Sequence, residues 1–492
     1  MSQDQSLSAF IGTAAEEFDV PGVSVGVLRD GQEFFASHGV TSIDDPLPVH
    51  ERTLFPIASV TKTFTATALM RLAAEGKLEL TAPVRRYVPE LRLADEEAAA
   101  RMTVLNLLNH TAGLDWHLID GDEGDGSLAA FVAKLAELRV IAPPGTRASY
   151  SQAGYNLAGR VIENVTGLSF EKALASLVLE PVGLANTFFD PDDVMVRRFA
   201  VGYNRGEDGT LRAAQPWKAF RAGTRGNDPG GGAASSVSDL LRWARFHLGA
   251  GDGVLPAEEL RRMQEPTVPL RASTLGDAFG ICWFLREVDG VHTIGHGGSG
   301  NGQFAELLIV PERNFAVVSL ANAGPDGYQF NQSVVRWALE HYLGVVERAP
   351  EPLPYDAARA GEVVGRYESD AMDLDIATDG SRLTLAVGIK PEIRAASEAD
   401  MPPDYPATGM AFLPGDGDEY VVTEGGLKGQ RGYFTRDEAG AVVGVDLAGR
   451  LFGRAPEAPG SAGAERVTSG ATRTGRPGRH SSIRRGRTGP GS

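Results

Sequence analysis

Ser59 and Lys62 stand three residues apart in IASVTKTFTATALMRLAAEGKL (57–78), where an apolar, helix-forming run begins. A serine hydroxyl is a weak nucleophile until a base takes its proton. A lysine at i+3 lies on the same helix face, one turn along. If burial disfavours its ammonium form, that lysine can serve as the base. The helix N-terminus adds backbone N–H groups and partial positive charge close to a developing anion. Taken alone the pair has a second reading, an N-capping serine beside a surface lysine, because S-x-x-K is a common spacing by chance.

The surroundings separate the two readings. Upstream are PGVSVGVLRDG and HERTLFPIASVTKTFTA. Downstream, in order, come LLNHTAGL (107–114), PPGTRASYSQAGYNLAGRVIENVTG (143–167), EPVGLANTFF, GGGAASSVSDLLRWARF and GHGGSGNGQF. This order and spacing resemble the serine β-lactamase and penicillin-binding-protein superfamily, in particular its class C-like branch of esterases, D-aminopeptidases and D,D-peptidases. The resemblance covers residues 5 to 345.

The resemblance implies roles for individual residues. Ser59 would be the nucleophile and Lys62 its base partner. Tyr150, in YSQ, would relay protons between nucleophile, lysine and leaving group. His296, in HGG, stands where the family has the first residue of a K-T-G strand motif, and as a catalytic residue it would help Tyr150 protonate the leaving group. Ser59 and Ser299 would offer the two backbone N–H groups that a tetrahedral oxyanion needs, with Gly297 and Gly298 letting substrate approach the strand. The family's Tyr-x-Asn is here Tyr150-Ser151-Gln152. One extra methylene moves the amide head by roughly 1.5 Å, and a misplacement of about 1 Å can cost on the order of 100-fold in rate. Turnover of amides and β-lactams is therefore expected to suffer more than that of esters.

Other polar residues read differently. His110 lies in LLNHTAGL, a segment that looks structural in the family. Tyr155 and Asn156 fit the helix after YSQ. Cys282, flanked by Ile281 and Trp283, reads as a packed residue within a strand. His292 and His296 are four apart with no evident third ligand, so no metal is expected. The glycines from Gly295 to Gly302 are not followed by a helix and do not form a phosphate loop. No cofactor is implied.

These residues need elements to hold them. Leu7, Phe10, Ile11, Ala14 and Phe18 predict an amphipathic N-terminal helix. Strand-like runs flank Asp30-Gly31, a hairpin signal, and return between 280 and 322 with turns at Asp289-Gly290 and Arg313-Asn314. Phe330, Val334, Trp337, Ala338 and Tyr342 predict a closing helix. The expected fold is α/β plus all-α. An antiparallel sheet (about 1–55 and 265–345), flanked by terminal helices, carries a large helical insertion (about 56–264) with a cleft at their junction. A Pro-rich linker (346–359) leads to short β runs (360–454) of a small barrel or sandwich. That module is read as structural or access-restricting, without a catalytic constellation.

Bulk properties bound the function. The 492 residues carry a formal −17; the segment after Ala455 holds seven Arg and two Glu, so +5 there leaves −22 on the body. That excludes a basic nucleic-acid face on the body. The Gly/Ser/Arg/Pro tail (455–492) reads as disordered. No apolar run is long enough for a membrane span. The first residues lack a secretory pattern and there is one cysteine, so a cytoplasmic location is expected. The expected activity is serine hydrolysis through an acyl-serine: carboxylesterase-like on small esters or amides, with a D-stereospecific aminopeptidase or amidase, a β-lactamase, and a catalytically weak binding protein as alternatives. A small-molecule ester, amide or D-peptide is the expected partner.

Overall fold

The computed structural model describes residues 3–456 apart from 116–126, 207, 215–221, 251–252, 325, 397–403 and 416. From residue 457 onward, the tail expected to be disordered lies outside the described residues.

Eight strands form one antiparallel sheet. They are β1 (Gly22–Arg29), β2 (Gln32–Gly39), β3 (Val268–Ser273), β4 (Gly276–Phe279), β5 (Phe284–Val288), β6 (Val291–Gly300), β7 (Gln303–Val310) and β8 (Phe315–Ala321). Their order is β2-β1-β8-β7-β6-β5-β4-β3, so the N-terminal hairpin pairs with strands that follow it by almost 300 positions, as in Val25 opposite Ser319. Asp30 and Gly31 both adopt positive φ (51° and 81°), as do Asp289 and Gly290 (50° and 75°). Two such residues in succession match the strand twist, which is why these dipeptides close tight hairpins.

β1 is buried along both faces because helices cover both. On one face, α1 (Gln3–Glu17) and the helix Asp326–Ala338 pack Leu7, Ile11, Phe330 and Val334 against Val25, Val27 and Val317. Phe10 stacks on Trp337 at 4.7 Å. On the other face, a Cβ on Gly26 would meet Val237 Cγ1 at 2.5 Å, so the glycine lets the helix Val237–Arg245 lie against the strand.

The helical part is built around α2 (Thr61–Ala74), which is buried on nearly every side. A helix apolar all round belongs in a core, and the threonines of α2 are compatible with that because their hydroxyls are bonded. Thr63 Oγ1 donates to Val60 O (2.8 Å), Thr65 Oγ1 to Pro229 O (2.7 Å) and Thr67 Oγ1 to Thr63 O (2.9 Å). Helix α3 (Gln152–Thr166) begins at an N-cap, Ser151 Oγ accepting from Gly154 N at 3.1 Å, and ends at left-handed Gly167. The insertion also holds short strands that helical patterning does not reveal, such as Phe55–Pro56 paired with Ala234–Ser235.

The C-terminal module is a closed barrel of eight antiparallel strands between Gly365 and Arg454. Tyr367, Leu385, Tyr420, Phe434 and Phe452 fill its interior. The stretch read as linker ends in a helix, Ala357–Val363, whose Ala360 and Val363 join that core. Among the described residues, no helix is long and apolar enough to cross a membrane.

Candidate active site

Ser59 occupies a 3-10 turn, Ala58–Val60, immediately before α2, rather than an N-cap. Ala58 has φ of +44°, a left-handed conformation that costs a residue with a Cβ. Lys62, in the first turn of α2, is fully buried. Its Nζ lies 3.1 Å from Ser59 Oγ, 2.5 Å from Gln152 Oε1 and 2.6 Å from Gly230 O.

Those three contacts define what the amine can do. Burial pushes the Lys62 ammonium well below its ordinary pKa; Cys282 acts against the shift and the nearby Arg450 charge with it. A neutral amine has two N–H groups and one lone pair. As an ammonium, Nζ donates to all three oxygens, Ser59 Oγ included; once the amine is neutral, the two carbonyl oxygens hold its N–H groups and its lone pair is left for Ser59 Oγ. This arrangement can remove the serine proton.

Gln152 is the first residue of α3. Its extra methylene does not carry the carbonyl away from Lys62, contrary to the expectation from sequence. The reason is Gly230, in the short helix Asp228–Gly231: a Cβ there would stand 2.0 Å from Gln152 Nε2, so the absent side chain is the space that the longer amide uses. The amide N–H side does not face Ser59. Nε2 lies 3.4 Å from both Asn156 Oδ1 and Asn227 O.

Tyr150 precedes the α3 cap, and Ser59 lies close enough to its hydroxyl to lower the phenol's pKa against the effect of burial. Lys62 Nζ stands 5.0 Å from the centre of its ring. His110 supports the ring from below at 4.4 Å, and its Nδ1 accepts from Ser151 N at 3.1 Å. Burial raises the Tyr150 pKa; Ser59 and Arg450 act against the rise. His110 thus orients the tyrosine segment, and burial lowers its own pKa well below the ordinary range.

His296, on β6, is buried against Phe284 (ring centres 4.3 Å apart) and lies 6.2 Å from the Tyr150 ring. Its Nδ1 is 2.7 Å from Gly297 O, which places the proton on Nδ1 and a lone pair on Nε2. Burial is the main cause that lowers its pKa to about 3, and Lys62 in its protonated form adds to the shift. A neutral imidazole in this tautomer has no proton to give from Nε2.

The glycines of β6 differ in what they face. A Cβ on Gly298 would meet Ile57 O at 2.1 Å and Ser59 N at 3.3 Å, so only glycine lets the strand pass the Ser59 amide. Ser299, exposed, follows directly on the same strand. Gly297 faces elsewhere, its missing Cβ pointing to Glu306 Oε2 at 3.2 Å. Cys282 is buried, but in a bend between β4 and β5 with φ of +77° rather than in a strand. Among the described residues, no group of three or more His, Cys, Asp or Glu is arranged to hold a metal ion.

Sequence reasoning brought Ser59, Lys62, Tyr150, Gln152 and His296 to one crevice but missed two participants. One is Gly230, whose carbonyl fixes Lys62; its signal was the DPGGG run, whose glycines admit close neighbours. The other comes from the barrel. Gly449 O accepts from Tyr150 N at 2.7 Å, and the Arg450 guanidinium lies 4.9 Å from the Tyr150 ring centre.

Comparisons with known proteins bear on the family and the fold. Residues 7–337 match the family model described as Beta-lactamase. The chain is 32% identical over 372 residues to Penicillin-binding protein 4 of Amycolatopsis lactamdurans, spanning 72% of this chain and 94% of that one. It is similar to the crystal structure of SurE with D-Leu, with 26% identity, a TM-score of 0.69, and coverage of 92% of this chain and 99% of that one. It is also similar to a class C β-lactamase from Rhodobacter sphaeroides, with 25% identity, a TM-score of 0.56, and coverage of 69% and 99%.

Proposed function

The chain belongs to the β-lactamase family of serine hydrolases, and on that premise we propose that it hydrolyses small esters through an acyl-serine on Ser59, with D-configured amino-acid acyl groups as its substrate class. The observation that carries the reading is the Lys62 amine, 3.1 Å from Ser59 Oγ with both its N–H groups taken by carbonyls.

In the proposed cycle, Ser59 Oγ attacks the ester carbonyl while Lys62, coupled to Tyr150 through the Ser59 hydroxyl, takes the proton. The oxyanion forms against the N–H groups of Ser59 and Ser299. Tyr150 returns the proton to the leaving oxygen. Water, deprotonated by the same pair, then cleaves the acyl-serine. His296 enters as a neutral wall of the pocket and not as the acid, because its one proton is held toward Gly297 O.

Two observations support the substrate class. The Gln152 amide N–H groups point to Asn156 and Asn227, so they offer little grip on an amide substrate's carbonyl. This favours better leaving groups, for which less positioning is needed. SurE, similar over 92% of this chain, has been crystallised with D-Leu.

A panel of p-nitrophenyl esters of D- and L-amino acids, D-aminoacyl anilides and a chromogenic cephalosporin tests the proposal, with Ser59→Ala as control. The D-aminoacyl ester is expected to turn over fastest. Faster turnover of the anilide or the cephalosporin, or an equal rate for the L-ester, overturns the assignment.

A further inference from the structure

The barrel reaches the crevice through one turn. Ala448 and Gly449 (φ 52° and 73°) connect the last two barrel strands, Val442–Leu447 and Arg450–Arg454. The turn is bonded to the segment that carries the tyrosine: Tyr150 N donates to Gly449 O at 2.7 Å, and Leu451 N donates to Ser149 Oγ at 3.3 Å. Within the barrel, Gly449 N donates to Asp446 Oδ1 at 3.2 Å. A Cβ on Gly449 would meet Leu275 Cδ1 at 2.5 Å, so the turn is threaded between the two parts with no room to spare.

The turn delivers a guanidinium to the Tyr150 ring. Arg450 Cζ is 4.9 Å from the ring centre, and Lys62 Nζ is 5.0 Å from it. We propose that Arg450 is a positioning residue for the catalytic base: its fixed charge, brought by the barrel, favours the deprotonated forms of Tyr150 and Lys62, so the proton-accepting pair is complete only when the barrel is docked.

The physical basis is short-range electrostatics. A cation against an aromatic face interacts more strongly as the ring gains negative charge, so it favours phenolate over phenol. The same charge opposes a second cation at Lys62. Both effects act against the burial that raises Tyr150 and with the burial that lowers Lys62. The other titratable groups around the ring are Ser59, His110, Tyr155, Cys282 and His296. Burial lowers the pKa of His110 and His296 and pushes the Cys282 thiol up to about 12; Cys282 acts on Lys62 in the direction opposite to Arg450. Behind Arg450 is the buried Asp446, raised to about 7 by burial against the Gly449 N–H, Arg450 and Arg147; above that pH it is the counter-charge that moderates Arg450.

This inference rests on the acyl-serine reading above. The test measures kcat/KM against pH with p-nitrophenyl acetate, a neutral substrate with no anionic group for an arginine to bind. The rising limb reports the coupled ionisation of the Lys62–Tyr150 pair. Arg450→Gln is expected to lower kcat/KM at neutral pH about tenfold to 100-fold, chiefly in kcat, with the limb displaced to higher pH. Arg450→Lys keeps the charge and is expected to keep the limb near its wild-type position. Asp446→Asn retains an acceptor for Gly449 N while removing the counter-charge, and is expected to move the limb to lower pH. If Arg450→Gln fails to fold, the Asp446→Asn shift alone decides. A wild-type pH profile in Arg450→Gln, or an unmoved limb in Asp446→Asn, overturns the inference. So does a defect confined to KM for carboxylate-bearing substrates, which assigns Arg450 to substrate binding. Failure of the wild-type protein to be acylated on Ser59 sinks the functional reading itself, a different result from an unchanged profile in an enzyme that is acylated.

Discussion

Gln152 Oε1 lies 2.5 Å from Lys62 Nζ, and the contact exists because position 230 has no side chain. A glutamine in place of the family's asparagine is thereby accommodated from the opposite wall of the crevice. Gly230→Ala is expected to push the Gln152 head aside and lower kcat about 100-fold, while circular dichroism and melting temperature stay close to wild type. Unchanged kcat in that variant contradicts the proposed role of Gln152.

Lys62 is expected to act as an amine and not as a positive charge. Lys62→Arg keeps a cation but replaces the amine with a group that stays protonated. The buried site must then hold a permanent charge next to Ser59. Ester hydrolysis is expected to fall by about 10³-fold or more, within the range ascribed to general-base catalysis. A mild loss in steady-state assays, comparable with that of a surface substitution, argues that the proton leaves Ser59 by another route.

Tyr150→Phe removes the hydroxyl close to Ser59 and leaves the ring against His110 and Arg450. The fold is expected to persist, with kcat reduced about 10²- to 10⁴-fold and KM nearly unchanged. Substrates with strongly acidic leaving groups are expected to lose least, because they need no proton on departure. A uniform loss across leaving groups contradicts the relay role.

The sequence carried the parts of the site that depend on local pattern. S-x-x-K at a helix start is a local signal, whereas Tyr150 in YSQ and His296 in HGG were legible only through the resemblance, which rests on the order and spacing of the motifs together. The paired sheet edges were legible through Asp30-Gly31 and Asp289-Gly290, where the turn chemistry is local. What could not be read was the contact between remote segments. Gly230 pairs with Lys62 across 168 positions, and nothing in DPGGG shows which carbonyl faces an amine. Arg450 stands 300 positions after Tyr150, inside a β module whose own pattern specifies only barrel strands. The tautomer of His296 depends on Gly297 O and on burial against Phe284, both consequences of tertiary packing.

His247 gives a stability prediction away from the site. It is buried among Trp243, Phe246 and Trp283, with neither ring nitrogen bonded among the described residues. Burial lowers its pKa to about 3. The folded state therefore resists a proton that the unfolded state binds below about pH 6.5. Stability contributed by the neutral form is present above that pH and is lost progressively toward pH 3, by up to about 1.4 kcal/mol per pH unit for this group. His247→Phe is expected to raise the melting temperature relative to wild type more at pH 5 than at pH 8. An equal difference at both pH values contradicts the account of His247.

The central claim is that Ser59 is made nucleophilic by the buried amine beside it. Intact-mass and peptide mass spectrometry after treatment with a fluorophosphonate test it most directly. The account predicts one adduct, on the peptide that carries Ser59, absent from Ser59→Ala and formed far more slowly in Lys62→Arg. No adduct on a folded wild-type protein, or labelling at the same rate in Lys62→Arg, contradicts it.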